Sequence, residues 1–115
     1  MKNFPERHKE IGTWMGKLGM EIPDVLKSFG ALHAASFKPG ALDVKTKELV
    51  ALGIAIAVRC DGCIAAHVEA AVKAGVTKEE VVEVISVALV MGGGPSLVYG
   101  VEALQALTQF QEIAK

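Results

Sequence analysis

Two cysteines, one histidine and one carboxylate are the residues of this chain whose types and spacing can do chemistry. The only two cysteines stand in the run Cys60-Asp61-Gly62-Cys63, and His67 follows four residues later. At about 100° per residue, Cys60, Cys63 and His67 fall within an arc of roughly 60° on one helix face, so all three look into the same cleft. Two thiols separated by two residues at a helix start can close a disulfide, and the amide dipoles there favour the thiolate, which is the reactive form. His67 lies one turn beyond Cys63, within reach of its proton, and an imidazole is suited to that exchange near neutral pH. Glu48 is the only acidic residue between Asp43 and the cysteines and sits in an apolar stretch. Buried against the cysteine helix, it becomes a candidate proton carrier.

Other readings of the same residues stay open at this level. The cysteines can be two small buried side chains or half of a zinc site. Zinc meets a geometric difficulty, because Cys60 and His67 lie roughly 10 Å apart along a continuous helix, far for two ligands of one tetrahedral ion. Glu48 taken alone reads as a solvated carboxylate paired with Lys45 or Lys47. His8, in a polar amphipathic stretch, reads as a surface residue, and His33, beside Leu32 and Phe37, as a helix-packing histidine before an active-site one. Gly92 to Gly94 lack the strand and the lysine of a phosphate cradle and read as a tight interhelical turn. Tyr99 just beyond is placed to line a pocket or an interface.

The elements that must position these groups are helices. Proline and glycine divide the sequence into pieces, none of which alternates as a half-buried strand does, so the fold class is all-α with about six helices. A first helix is expected from about Glu6 to Lys17, ending in the Gly16 to Gly19 region, and a second from Pro23 to about Ser36. Lys38-Pro39-Gly40 is a loop. Asp43 caps a third helix running through about Val58, so apolar that it should be buried nearly all round. Asp61 to Ala74 forms a fourth, with Gly75 where a left-handed cap is wanted. Thr77 and Glu80 form a capping-box signature for a fifth, Lys78 to Met91. The Gly92-Gly93-Gly94-Pro95 run stops it, and Ser96 can cap a last helix to about Ala114.

A length of 115 residues fits one domain with one core. Yet 51% of the residues are hydrophobic and the mean hydropathy is +0.39. A chain this short buries roughly two-thirds of its unfolded surface, so some apolar area should face another subunit. The formal charge of -1, with both signs dispersed, offers no footprint for nucleic acid or an anionic membrane. The opening Met1-Lys2-Asn3-Phe4-Pro5-Glu6-Arg7 lacks the apolar stretch of a signal peptide, and the longest apolar run, Leu49 to Val58, is about half of a bilayer crossing. A soluble, cytoplasmic protein is the expectation. In a reducing compartment a cysteine pair of this spacing points to redox chemistry or metal binding before a structural staple.

With Glu48, Cys60, Cys63 and His67 at these intervals, the chain resembles the carboxymuconolactone decarboxylase superfamily, specifically its alkylhydroperoxidase AhpD-like branch. The resemblance runs from about Leu42 through Tyr99 and takes in Thr46-Lys47-Glu48-Leu49 and the Gly92-Gly93-Gly94-Pro95 turn. It implies a single all-helical domain that assembles into a homotrimer or homohexamer and works without a bound cofactor or metal. It also implies a peroxidase mechanism in which Glu48 and His67 relay a proton from Cys63, Cys63 attacks a hydroperoxide, Cys60 resolves the sulfenic acid as a disulfide, and a lipoyl- or thioredoxin-like dithiol reduces the pair. Some members carry a histidine between the cysteines where this chain has Gly62. The decarboxylase members act without the cysteine pair. Two alternatives remain beside the peroxidase: a thiol sensor or oligomeric scaffold, and a decarboxylase-like enzyme using His67 and Glu48 as acid and base.

Overall fold

Local capping chemistry sets most of the helix ends. The computed structural model describes residues 2–115, which form six helices: α1 (Phe4–Glu21), α2 (Pro23–Ser36), α3 (Val44–Ala57), α4 (Asp61–Lys73), α5 (Lys78–Gly92) and α6 (Gly94–Ala114). Asn3 and Asp43 each accept a hydrogen bond from the backbone three residues on, and Thr77 and Glu80 form the expected reciprocal box. Both partners hold the Glu80 carboxyl below its ordinary value, the Thr77 amide first and then the Lys45 ammonium. Gly75 takes the left-handed conformation at φ 87° beyond α4.

Two helices differ from the sequence expectation. α1 runs through Gly16 and Gly19 to Glu21, since a glycine in a helix costs about 1 kcal/mol but ends it only where a left-handed residue is required. The break falls instead at Ile22, the residue before Pro23, which proline pushes out of the helical region. α6 starts at Gly94, two residues before the predicted cap. Gly93, at φ 72° and ψ -150°, occupies a region open to glycine and serves both as C-cap of α5 and N-cap of α6. Ser96 is therefore inside the helix, 1% exposed, and its hydroxyl has no hydrogen-bond partner among the described residues. Because a buried hydroxyl without a partner loses its hydration for nothing, Ser96→Ala is expected to raise stability by about 1 kcal/mol. A urea midpoint that fell instead would show that the hydroxyl is satisfied.

Helices α3, α4, α5 and α6 pack on one another around a core of Leu52, Ile56, Ile64, Val68, Val81 and Leu107. Small residues on α4 and α6, among them Ala65, Ala71, Ala103 and Ala106, are fully buried and let those two helices approach closely. α1 lies across α4 and α6 and anchors its first turn with Phe4, while α2 lays its backbone against α1, reaches α3 and α4 through side chains, and has no buried residue. α3 is not buried all round: Val50, Ile54 and Val58 are 51%, 58% and 63% exposed. Spaced by four residues, they form an exposed apolar stripe along α3 and its C-cap. Among the described residues no helix is long and apolar enough to cross a membrane.

Candidate active site

The end of α3 delivers the first cysteine. The Arg59 amide bonds to the Ile56 carbonyl and the Cys60 amide to the Ala55 carbonyl, the paired pattern that closes a helix through a left-handed residue. The same pattern closes α4, where glycine fills the left-handed position; at the end of α3 that position is Arg59, at φ 59°. A side chain there costs about 1–2 kcal/mol. Arg59→Gly is therefore expected to stabilise the fold by about 1 kcal/mol without changing thiol reactivity, readable by thermal melting and alkylation of the reduced protein. A loss of stability would mean that the guanidinium makes compensating contacts.

Cys60 is the N-cap of α4, and its Sγ accepts a hydrogen bond from the Cys63 amide at 3.2 Å. The two cysteines are joined as a disulfide with Cα atoms 5.2 Å apart. Between them, burial pushes the Asp61 carboxyl up, but the hydrogen bond and charge of Lys2, the charge of Arg7 and the Gly62 amide outweigh it and leave it below its ordinary value. Lys2 Nζ reaches Asp61 at 3.3 Å and Glu102 at 2.8 Å, and Arg7 Nε stands 3.7 Å from Asp61. The fixed negative charge beside the thiols is thus largely offset by two cations. Gly62 faces α1: a Cβ built on it would lie 2.6 Å from Ile11 Cδ1, so Ile11 fills the space a side chain would need.

One turn beyond Cys63 on α4, His67 meets Glu48 of α3 at 2.8 Å between Nδ1 and Oε1. A carboxylate accepts, so Nδ1 donates in this contact and Nε2 is the ring nitrogen that Glu48 does not engage. Glu48 is only 6% exposed. Its partner is neither of the neighbouring lysines: Lys45 pairs with Glu80 at 3.0 Å, and Lys47 donates to main-chain carbonyls. Cys63 and His67 line a cleft of about 430 Å³ walled by Phe37, Leu42, Val50, Ile54 and Val58. Among the described residues no group of three or more His, Cys, Asp or Glu side chains is placed to hold a metal ion.

Phe37, which the spacing of the motif did not single out, joins this cleft, and His33 stands behind it. Phe37 lies nearly parallel to His67, with ring centres 5.6 Å apart and planes 15° apart, and His33 stacks on Phe37 at 4.6 Å and stands 6.2 Å from His67. His33 thus packs along its own helix end, as read from the sequence, and that packing brings it near His67. The available signal was the i, i+4 spacing of His33 and Phe37 at the end of α2. His8 is half-buried, 3.3 Å from Glu69 and edge-on to Phe110, remote from this cleft in the fold. Tyr99 packs against the core with the Lys2 ammonium 5.9 Å over its ring.

An all-helical fold carrying a redox-active cysteine pair on the first turn of one helix and a Glu–His pair beside it defines a class of protein that sequence and structure comparison identify. The profile of the carboxymuconolactone decarboxylase family matches residues 23–106, and the chain belongs to that family. It is similar to the apo crystal structure of a carboxymuconolactone decarboxylase family protein from Legionella pneumophila, with a TM-score of 0.90 and 45% identity over 93% of this chain and 96% of that one. A family protein from Thermotoga maritima, for which a part in the antioxidative response has been suggested, gives a TM-score of 0.74 and 33% identity over 87% of this chain and 92% of that one. Uncharacterized protein 4 in the cox locus of Paracoccus denitrificans is 37% identical over 93% of each chain.

Proposed function

We propose that the whole chain is one AhpD-like domain acting in the cytoplasm as a thiol peroxidase or disulfide oxidoreductase, with Glu48, Cys60, Cys63 and His67 as its catalytic residues. The observation that carries this reading is the cleft lined by Cys63, the inner member of an oxidised Cys60–Cys63 pair, and by a histidine hydrogen-bonded to a buried glutamate. The role suggested for the Thermotoga relative points the same way.

In the proposed cycle the reduced Cys63 gives its proton to His67, whose Nδ1–H is held by Glu48. The Cys63 thiolate attacks the outer oxygen of a hydroperoxide; the O–O bond breaks, the sulfur becomes a sulfenic acid, and the departing alkoxide takes the proton from His67 to leave as an alcohol. Cys60 then attacks the sulfenic sulfur, a disulfide forms and water leaves. A lipoyl- or thioredoxin-like dithiol returns two electrons and two protons by thiol–disulfide exchange and is itself oxidised to its disulfide. The apolar wall of Leu42, Val50, Ile54 and Val58 favours an organic hydroperoxide over hydrogen peroxide. No bound cofactor or metal is needed for any step.

The proposed working form is a homotrimer or homohexamer. The accessible surface of 7308 Å² exceeds the roughly 6,000 Å² expected of a compact monomer of this mass. Trp14, Met15, Leu18, Val25, Phe29 and Leu32 of α1 and α2 are all exposed, more apolar surface than a soluble monomer ordinarily shows. Light scattering is expected to return three or six times the chain mass of 12.1 kDa; a monomer at micromolar concentration would remove this part of the proposal.

Reductant-dependent turnover of an organic hydroperoxide by the purified protein tests the function. Sustained consumption with dihydrolipoamide or a thioredoxin system supports the enzyme. A single stoichiometric oxidation without turnover under either reductant would make the pair a sensor, and loss of carbon dioxide from a carboxylactone by a Cys60→Ser, Cys63→Ser protein would make the Glu–His pair a decarboxylase site.

A further inference from the structure

His67 can serve Cys63 only if its ring is held in one orientation, and Glu48 alone does not achieve this. The hydrogen bond to Nδ1 fixes one edge and leaves the ring free to swing about that edge. What meets its face is Phe37, nearly parallel at 5.6 Å. Phe37 is the C-cap of α2, where its own amide bonds to the His33 carbonyl at 3.1 Å, and from there the chain runs without helix to Val44. Since the α2 backbone lies against α1 alone, side chains must tie this corner to the core. Lys47 does so. Its ammonium donates to the Ser36 carbonyl at 2.9 Å and to the Lys38 carbonyl, the two carbonyls that flank Phe37. A cation here satisfies acceptors left open by the end of a helix. Lys47 and Glu48 are consecutive residues of α3, so one turn of that helix sets both the edge of the His67 ring and, through the Ser36–Lys38 corner, its face.

We propose that Lys47 and Phe37 are positioning residues for His67, Lys47 holding the α2 corner that presses the Phe37 ring against the imidazole. The inference rests on the reading of His67 as the base for Cys63, and it adds to that reading a clamp spanning α2, α3 and α4. Neither residue takes part in bond making. Their contribution is orientation, for which a misplacement of about 1 Å costs on the order of a hundredfold in rate and a looser ring correspondingly less.

The test uses the Cys60→Ser protein, in which iodoacetamide reports Cys63 alone, together with proton NMR of the His67 Nδ1–H that faces Glu48. Lys47→Met keeps the stem and removes the donors; Phe37→Leu keeps the apolar volume and removes the ring. Each is expected to slow alkylation at neutral pH by about tenfold and to broaden the Nδ1–H resonance through faster exchange with water. Lys47→Arg and Phe37→Tyr should restore both signals, and the double variant Lys47→Met, Phe37→Leu should be no worse than its more impaired parent. The effects should vanish in a His67→Gln background. Additive losses, losses that persist without His67, or a sharp Nδ1–H resonance in both Lys47→Met and Phe37→Leu would overturn the proposal. If Lys47→Met does not fold, the Phe37 pair carries the test. Because neither readout involves peroxide, absence of turnover would sink the peroxidase reading and leave this one standing; an alkylation rate indifferent to His67→Gln would sink the base assignment, with the NMR signal still deciding the clamp.

Discussion

Cys63→Ser is expected to abolish the first oxidation by hydroperoxide, a loss of more than about 10³-fold, whereas Cys60→Ser should still form a sulfenic acid on Cys63 that cannot close to a disulfide. The two thiols compete on different physical terms. Cys60, as N-cap of α4, sits where the helix dipole favours a thiolate, and its sulfur already accepts the Cys63 amide at 3.2 Å. That dipole is worth typically ~0.3–1 kcal/mol at exposed sites. Cys63 lines the cleft with His67, and a positioned base contributes roughly 10²–10⁴-fold. In the proposed cycle the base therefore outweighs the dipole and Cys63 is the attacking thiol. Cys60, outside the cleft, is left to resolve the sulfenic acid and to meet the reductant, with Cys63 then departing as the sulfur that His67 can reprotonate. Mass spectrometry after one equivalent of peroxide decides the matter: a gain of one oxygen on Cys60 in the Cys63→Ser protein, as fast as in the parent, would reverse the two roles.

The second large effect belongs to the Glu48–His67 pair and should appear in both rate and stability. His67→Gln is expected to slow sulfenic acid formation by about 10²-fold and Glu48→Gln by about tenfold, because the first removes the base and the second only its orienting acceptor. The double variant should match His67→Gln, since a residue that acts through another contributes nothing once the other is gone. Stability separates the two in the other direction. His67→Ala leaves the 6%-exposed Glu48 without its partner and should cost about 2–3 kcal/mol, while adding Glu48→Leu should recover most of that loss by removing the stranded carboxylate. Urea denaturation of the three proteins measures it. If the double variant were no more stable than His67→Ala, the loss would come from packing around the imidazole rather than from an unpaired charge.

The absence of a side chain at Gly62 also acquires a physical reason. A side chain at position 62 would need room over the α4 N-terminus, and Ile11 of α1 stands there. The charge beside the thiols is handled from the same side, by Lys2 and Arg7 on Asp61. In the proposed cycle proton transfer belongs to His67, in a cleft that neither cation lines.

What the sequence determined by itself are the features carried by neighbours along the chain. Asp43, Thr77 with Glu80, Pro23 and Gly75 mark helix ends because caps and left-handed turns are made within a few residues. Helical periodicity places Cys63 and His67 on one face and both line the cleft, whereas Cys60, expected to look into it too, is the extended N-cap of α4 and lies outside its lining. Where the local signal was ambiguous, it failed: glycines in α1 read as a stop, and Ser96 read as a cap, although Gly93 could start α6 earlier. Only the tertiary structure decided which partner Glu48 takes, since Lys45, Lys47 and His67 all lie within reach of plausible packings and the approach of α3 to α4 selects the histidine. It alone brought Phe37 and His33 from α2 onto His67, and it alone turned Val50, Ile54 and Val58 outward, because the side of a helix that meets its neighbours depends on how several helices share one core and not on the helix's own composition.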